Sequence, residues 1–486
     1  MKQKRFLIFT GLLCLSILSG CDWLQSSFLN GIPICGSQNK EIKVYLAIDG
    51  LSYSSVEKAR AQGAFAGNSW RHSKFITTFP GTSDASWTRI LHTEPLVGYE
   101  YTYFDPSQDK IINPGMSGLV KHVVPTFVDG MSMEAPYLKA FDYRSNGYTH
   151  SIGVYHDTFA NLGESYDNLF FTLDGRSQTN STFSAYLIEI DAMGHIFKPE
   201  DVVESLRILD KKINVFKAKH PDKKFVFTIL ADHGIDFVNV ESKNLMKLSE
   251  EIKKVGVTPV ENIRGQTAPH YAVPIDHVRL TYLSLHTSAE QVKPVATKVS
   301  ELPFIDVTVA KIRFPNEAQK TLTTDWYGIY ESGKEIVDFG YDAQKNTYLI
   351  PTAMNWERFG ISKKEPAGKS PTYSEFSDED LFAFSKHSAY PDLFYRIRTG
   401  LSAVGVQYPA DVLLSLKPGF AAIGFTLPGG SKDFSLAGFH GSLRDLGTVA
   451  TLLTEERDLP DAVRSEDIYK LFPDFQKNVS EKTKLY

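Results

Sequence analysis

Cysteine is scarce in this sequence, with three among 486 residues: Cys14, Cys21 and Cys35. We expect Cys14 to be removed with an N-terminal signal and Cys21 to be chemically modified, which leaves Cys35 alone. An intramolecular disulfide framework is therefore excluded, even in an oxidising compartment. Stability must come from a hydrophobic core, and a composition that is 42% hydrophobic and 22% charged is ordinary for a globular protein.

An excess of positive charge and long apolar runs are also missing. The net charge is -5 at pH 7 and the pI is about 6.2, so we expect no nucleic-acid partner. Beyond the N-terminal signal, the sequence has no apolar run of 18 or more residues. The remainder of the chain therefore contains no predicted transmembrane helix.

The N-terminus has the features of a lipoprotein signal. The cationic segment "MKQKR" precedes the apolar segment "FLIFTGLLCLSIL", which is short for a membrane span. It ends in "LSGC", which resembles a bacterial lipobox and makes Cys21 the predicted lipidation site. We predict a signal peptide at 1–20, a tether at 21–40 and a lipid-anchored protein of the cell envelope that faces the periplasm or the exterior. Asp22 resembles an inner-membrane retention signal.

The segments that follow predict an α/β fold. Residues 43–48, 185–190 and 224–231 are continuous apolar runs of the kind that form buried strands. Between the last two runs, Pro199 opens a segment whose apolar residues recur at helical spacing. A strand–helix–strand unit implies parallel pairing through a right-handed crossover.

The domain organisation is predicted in three parts after the tether. We expect a first part of the catalytic α/β core at 41–250, an inserted α+β or cap region at 251–380, and a second part of the core at 381–486. In the last part, "DVLLSLKPGFAAIGF" predicts a strand hairpin. Ser442 is predicted to cap a helix that has Leu443, Leu446, Val449 and Leu453 on one face.

Three of the predicted strands end in an aspartate. Asp49, Asp191 and Asp232 each follow an apolar run, and parallel sheets collect such residues at one edge. Three adjacent carboxylates repel one another and need cations. His195 and His233 accompany two of them, and a mixture of carboxylate and imidazole suits zinc, with two such sets suiting a two-metal site.

The order of motifs resembles the alkaline phosphatase superfamily, and most closely its nucleotide pyrophosphatase/phosphodiesterase branch. The order is a strand aspartate, "TTFPG", "DAMGH", "ADHG" and a late "FHG". The resemblance implies a central, mostly parallel sheet flanked by helices, with an inserted α+β cap region. It also implies two divalent metal ions, with Zn²⁺ expected, and a small phosphate-ester substrate such as a nucleotide or a lipid head group.

The same resemblance assigns roles to individual residues. One metal is assigned to Asp49, Thr78, Asp232 and His233. The other is assigned to Asp191, His195 and His440. Thr78 is the implied nucleophile, which would form a phosphothreonine intermediate, and Thr77, Thr82 and Ser83 stand close to it as alternatives.

One departure from the family motif leaves the substrate class open. Gly81 stands where the branch has an asparagine in "TFPN", so the residue that contacts the phosphate is not placed. A phosphomonoesterase on the same scaffold is the alternative enzyme, with Arg71 or Arg89 facing the dianion. A non-catalytic envelope lipoprotein that keeps the fold is the alternative of another class. The absence of cysteine near Thr78 disfavours the sulfatases, which use a modified cysteine.

Overall fold

The fold is built on two β-sheets of different kinds, as seen in a computed structural model. The described residues are 41–67, 69–100, 102–113, 135–145, 158–277, 280–312, 324–362, 372–422 and 437–483. The predicted signal peptide and tether, with Cys21, lie outside them. Within these ranges, no helix is both long and apolar enough to cross a membrane.

The strands are numbered along the chain. They are β1 Glu41–Ile48, β2 Arg71–Ile76, β3 Tyr103–Asp105, β4 Lys110–Ile112, β5 Tyr143–Arg144, β6 Thr182–Leu187, β7 Lys224–Leu230, β8 Leu245–Met246, β9 Thr258–Pro259, β10 Tyr271–Ile275, β11 Tyr282–His286, β12 Ile305–Ile312, β13 Thr324–Glu331, β14 Lys334–Asp342, β15 Thr347–Pro351, β16 Tyr373–Ser377, β17 Val412–Leu416, β18 Ala421–Ala422, β19 Val449–Thr454 and β20 Ala462–Arg464.

The α-helices are numbered in the same way. They are α1 Tyr53–Ala61, α2 Ser83–Ile90, α3 Thr158–Arg176, α4 Glu189–Ile196, α5 Pro199–Lys219, α6 Leu248–Lys254, α7 Val292–Val299, α8 Asp378–Ser385, α9 Leu393–Gly400, α10 Ile468–Leu471 and α11 Pro473–Thr483.

The first sheet has seven strands in the order β20-β2-β19-β7-β1-β6-β5. All its pairs are parallel except those of β19, which runs opposite to both of its neighbours. The interior strand β1 is almost entirely buried, because helices and apolar side chains cover both faces. The predicted central, mostly parallel sheet flanked by helices is confirmed.

The second sheet has nine strands in the order β16-β15-β14-β13-β12-β17-β11-β10-β9. It is antiparallel except for the pair β9–β10. Most of its strands come from the region predicted as an insert at 251–380. Strand β17 comes from residues assigned to the second part of the core, and it completes this sheet between β11 and β12.

Three local predictions are wrong. The segment after His440 contains no helix capped by Ser442; turns lead directly into β19, which begins at Val449. Strands β17 and β18 do not form a hairpin with each other, because β17 pairs with β11 and β12 while β18 pairs with β8. Strand β6 ends at Leu187, so Asp191 lies in helix α4 rather than at a strand end.

Candidate metal centre

Two aspartates meet at the carboxyl edge of the first sheet. Asp49 directly follows β1, and Asp232 lies just beyond β7. Since β1 and β7 pair in parallel, their ends reach the same edge. The backbone N–H of Gly50 donates to Asp232 Oδ1 over 3.0 Å and ties the two strand ends together.

Helix α4 delivers a second pair of side chains to this edge. Asp191 and His195 are four residues apart and therefore lie on the same helix face. Gly50 allows the close approach: it has φ +65°, and a Cβ there would lie 2.7 Å from Asp191 Oδ1. The acid and imidazole of "DAMGH" are thus brought together by helical spacing.

His440 reaches the cluster from the turn-rich segment that precedes β19. Because β19 runs opposite to its neighbours, its first residues lie at the carboxyl edge of the parallel strands. The backbone oxygen of His440 accepts hydrogen bonds from both the N–H and the hydroxyl of Thr281. Its ring stacks on that of His233 at 3.7 Å between centroids.

All three imidazoles present the same nitrogen to the acids. Nδ1 of His195, His440 and His233 contacts a backbone carbonyl, of Gly438, Gly81 and Gly234, at 2.9, 2.7 and 3.1 Å respectively. These contacts assign Nδ1 as the donor. Each Nε2 faces the carboxylates, and this is the nitrogen that a metal-ligating histidine with such an Nδ1 contact offers to a metal ion.

The spacing between ligand atoms fits metal coordination better than hydrogen bonding. His233 Nε2 lies 3.3 Å from oxygens of both Asp49 and Asp232, and His195 Nε2 lies 3.5 Å from Asp191 Oδ1. Nitrogen–oxygen hydrogen bonds are shorter, about 2.7–3.2 Å. Two tetrahedral ligands, each about 2.0–2.2 Å from one zinc ion, lie roughly 3.3–3.5 Å apart.

The described residues contain two groups suited to a metal ion, and they share one residue. One group is Asp191, His195 and His440, and the other is Asp49, Asp191 and His233. In each group the potential ligand atoms lie within 4.8 Å of one another. Asp191 Oδ1 lies between them, 3.8 Å from His440 Nε2 and 4.0 Å from His233 Nε2.

Burial makes this charge arrangement costly without a cation. Burial and the neighbouring Asp49 raise the pKa of Asp232 well above its ordinary value, and burial also raises that of Asp191. Burial lowers the pKa of His233, but the surrounding carboxylates outweigh it and raise that pKa to about 10. Asp191 Oδ1 and Asp232 Oδ2 are buried and have no hydrogen-bond partner among the described residues. The residues therefore fit a bound metal ion.

Two hydroxyl groups contact Asp49, and the sequence predicted neither contact. Tyr186, on β6, donates to Asp49 Oδ2. Ser83, the first residue of α2, donates to Asp49 Oδ1 over 3.0 Å and lies 3.3 Å from His233 Nε2. The sequence named Ser83 only as an alternative nucleophile, and Tyr186 appeared as one more apolar strand residue.

Thr78 has different partners. Among the described residues, its hydroxyl hydrogen-bonds to the carbonyl of Pro80 at 3.1 Å and to Ser86 Oγ at 2.8 Å, and to no acid or imidazole of the cluster. Arg71 and Arg89 also have partners elsewhere. Arg71 pairs with Asp458, and the buried Arg89 pairs with Glu466. The structure thus brings together the six predicted acidic and imidazole ligands but not these three residues.

A comparison with known protein families identifies the family of this chain. The profile of the type I phosphodiesterase / nucleotide pyrophosphatase family matches residues 65–347, more than half of the chain. The chain belongs to this family. Membership supports a hydrolase that acts on phosphodiester or pyrophosphate bonds, and the predicted relationship to this branch is confirmed.

Solved structures of low sequence identity are similar along most of the chain. Human ectonucleotide pyrophosphatase/phosphodiesterase 5 is 10% identical with a TM-score of 0.44, and the match covers 90% of this chain and 95% of that one. The murine protein is 11% identical with a TM-score of 0.46 and the same coverage, both alone and as an inactive variant in complex with AMP. No curated protein matched the sequence.

Proposed function

We propose that this family member is a two-metal phosphodiesterase or nucleotide pyrophosphatase that uses Zn²⁺. The observation that carries the proposal is the pair of ligand groups joined through Asp191, with two buried carboxylate oxygens that have no hydrogen-bond partner among the described residues. Three carboxylates and three imidazoles form a donor set that suits zinc better than magnesium.

The six side chains divide between the two ions. Asp191, His195 and His440 hold one ion, and Asp49, Asp232 and His233 hold the other, with Asp191 close to both. When bound, the ions stabilise charge on the phosphate oxygens and favour the ionised form of a nucleophilic hydroxyl. Tyr186 orients Asp49 by donating to it, and the three carbonyl contacts hold the imidazoles in the required tautomer.

The loop at residues 77–83 and helix α2 supply the protein's own contribution to phosphate binding. Helix α2 begins at Ser83, which contacts Asp49, so the N-terminus of the helix lies beside the proposed metal ligands. The N–H groups of a first helical turn favour a bound anion. Thr82 caps this helix by accepting from the N–H of Ala85. We propose a covalent phosphoenzyme on a hydroxyl of this loop. The sequence pattern alone favours Thr78.

Diester cleavage is favoured over monoester cleavage by the positions of the arginines. A monoesterase needs an added cation that faces the dianionic phosphate. Arg71 is on the outer part of β2 with Asp458, and Arg89 is in the last turn of α2 with Glu466 and Tyr395. Both arginines are engaged elsewhere. We therefore propose a substrate with a phosphodiester or pyrophosphate bond, in a nucleotide or a lipid head group, in which the phosphoryl group that is attacked carries a single negative charge.

We also propose that the protein acts at the cell envelope. The support is the sequence alone: the lipobox-like "LSGC" with Cys21, and the tether at 21–40. A membrane-attached phosphodiesterase suits substrates at that surface. Metabolic labelling with a radioactive fatty acid tests this part, since Cys21→Ala should abolish labelling and release the protein from the membrane fraction.

The test of the activity compares two substrates in one assay. Initial rates on bis-p-nitrophenyl phosphate and p-nitrophenyl phosphate are measured with zinc and after chelation. We expect faster cleavage of the diester, dependence on zinc, and loss of cleavage in Asp191→Asn. Faster cleavage of the monoester would move the protein to the phosphatase alternative. Zinc binding without turnover of any phosphate ester in a broader screen would favour the non-catalytic alternative.

A further inference from the structure

The hydroxyl of Ser83 occupies the place where a nucleophile is needed. Ser83 Oγ lies 3.0 Å from Asp49 Oδ1 and 3.3 Å from His233 Nε2, so it touches two of the six proposed metal ligands. Its side chain is half-buried and so keeps some contact with solvent. We propose that Ser83, and not Thr78, is the nucleophile that becomes phosphorylated, an inference that rests on the proposed phosphodiesterase function.

The other hydroxyls of the loop are engaged with the protein backbone. Thr77 donates to the carbonyl of Thr448 at 2.8 Å, and Thr82 donates to that of Tyr99 while capping α2. Thr78 is buried and bonded to Pro80 and Ser86. Among the hydroxyls of Thr77, Thr78, Thr82 and Ser83, and within the described residues, it is that of Ser83 that hydrogen-bonds to a proposed metal ligand, Asp49.

Thr78 is also fixed in place by its backbone. The guanidinium of the buried Arg396 donates to the carbonyl of Thr78 at 3.2 Å, and to Thr448 Oγ1 at 2.6 Å. The same guanidinium contacts the carbonyl of Leu443 at 2.7 Å. Bringing the Thr78 hydroxyl to the metal site would break its hydrogen bonds to Pro80 and Ser86, and the backbone anchor opposes a shift of the loop. Thr78 is therefore a structural residue of the loop.

The first position of α2 gives Ser83 a second advantage. The N–H groups of the first helical turn are not used by the helix itself, and they favour negative charge on a nearby oxygen. A phosphate attached to Ser83 Oγ would meet these N–H groups.

The proposed step is a substitution at phosphorus. A bond forms between Ser83 Oγ and phosphorus, and the bond from phosphorus to the leaving alcohol oxygen breaks. The proton of Ser83 leaves along the hydrogen bond to Asp49. The departing alcohol takes up a proton from solvent, so the number of protons balances. Water then breaks the Oγ–phosphorus bond, which returns the serine hydroxyl and releases a phosphate monoester.

Mass spectrometry of the trapped enzyme separates the candidates. Full-length protein loaded with zinc is mixed with excess bis-p-nitrophenyl phosphate, quenched in acid and digested with trypsin. Cleavage after Lys74 and Arg89 releases "FITTFPGTSDASWTR", which contains every candidate hydroxyl, and fragmentation locates the phosphate. The wild type is compared with Ser83→Ala, Thr78→Ala and the matched control Ser249→Ala, and the zinc content of each is measured.

We expect phosphate on Ser83 in the wild type, in Thr78→Ala and in Ser249→Ala. Ser83→Ala should lose the phosphopeptide and at least about 10³-fold in rate while it keeps its zinc. Turnover with phosphate on Thr78, or turnover without phosphate on Ser83, would overturn the inference and leave the proposed function standing. A zinc-loaded wild type that cleaves no phosphate ester would overturn both.

Discussion

Two groups of buried carboxylates in this protein have different partners. Arg464, the last residue of β20, binds Asp392 through two hydrogen bonds of 2.6 and 2.9 Å and binds Asp378 at 2.5 Å. At the carboxyl edge of the first sheet, Asp49, Asp191 and Asp232 face imidazoles at 3.3–4.0 Å. We call the first set the arginine cluster and the second the histidine cluster.

The difference teaches how each cluster balances its charge. In the arginine cluster the cation is part of the chain, and the guanidinium contacts both acids at hydrogen-bond distance. In the histidine cluster the polar atoms are held too far apart to satisfy one another, and two carboxylate oxygens have no hydrogen-bond partner among the described residues. Asp378 Oδ1 in the arginine cluster also has no hydrogen-bond partner among the described residues, but a guanidinium of the chain balances the charge there. The histidine cluster has no such contact from a lysine or arginine among the described residues, and we propose that metal ions take that place.

The largest expected effect comes from removing the internal cation. Arg464→Met removes the bonded cation of the buried Asp392 and the half-buried Asp378, and we expect the free energy of unfolding to fall by about 3–5 kcal/mol. Chemical denaturation measures it. The control is Arg71→Met, which removes a solvent-exposed pair with Asp458 and should cost about 1 kcal/mol or less. Equal losses in the two variants would show that Arg464 does not balance the charge of the arginine cluster.

The external cation should stabilise the histidine cluster in a comparable way. Zinc at about 1,000 times the dissociation constant of a site should raise the free energy of unfolding by about 4 kcal/mol for each ion bound, because it binds only the folded chain. The gain should persist in Arg464→Met and disappear in Asp191→Asn, since Asp191 belongs to both ligand groups. Zinc stabilisation that survives Asp191→Asn would place the metal elsewhere.

A smaller effect is expected from a residue that only orients a ligand. Tyr186→Phe removes the hydrogen bond to Asp49 Oδ2 and should weaken zinc binding by about 10–100-fold. Competition with a zinc indicator measures this. Tyr469→Phe removes a buried hydrogen bond to the carbonyl of Leu91 and serves as the control, with unchanged zinc affinity expected. Unchanged affinity in Tyr186→Phe would rule out its orienting role.

The smallest effect concerns a histidine outside both clusters. Burial, together with the nearby His277, lowers the pKa of His286 to about 3, although Asp411 lies 3.9 Å away. The folded state therefore disfavours the proton, so stability is complete above about pH 6.5 and declines as the pH falls toward 3. The loss between about pH 7.5 and 5.5 should be about 1.4 kcal/mol.

This pH effect is isolated by comparing variants. His286→Gln should remove that part of the pH dependence, whereas His387→Gln, which changes an exposed histidine, should keep it. Unfolding free energies at the two pH values provide the measurement. Parallel pH profiles for the wild type and His286→Gln would contradict the assignment.

The sequence predicted most of the histidine cluster because its ligands follow strong local patterns. Asp49 and Asp232 end apolar strands, and a parallel sheet brings such ends together. Asp191 and His195 were predicted at a strand end for the same reason, but the chain turns into α4 after Leu187. Asp191 and His195 are still close together, because residues four apart on a helix lie on the same face.

Other features depend on tertiary structure and left no readable local pattern. The apolar spacing from Leu443 to Leu453 fits a helix, but the β-forming "VATLLT" pairs with β2 and β7 as β19. The spacing of apolar residues along the chain contains no information about that strand pairing. Likewise, "TTFPG" favours Thr78, whereas the contacts of Arg396 and Asp49 with the folded loop distinguish Thr78 from Ser83.

The most direct test of the account is the metal stoichiometry of the purified chain. Protein equilibrated with zinc and freed of excess ion is analysed by inductively coupled plasma mass spectrometry, alongside Asp191→Asn. The account predicts two zinc ions per wild-type chain and a loss of tightly bound zinc in the variant, because both ligand groups contain Asp191. A wild type without bound zinc, or a variant that binds as much as the wild type, would contradict it.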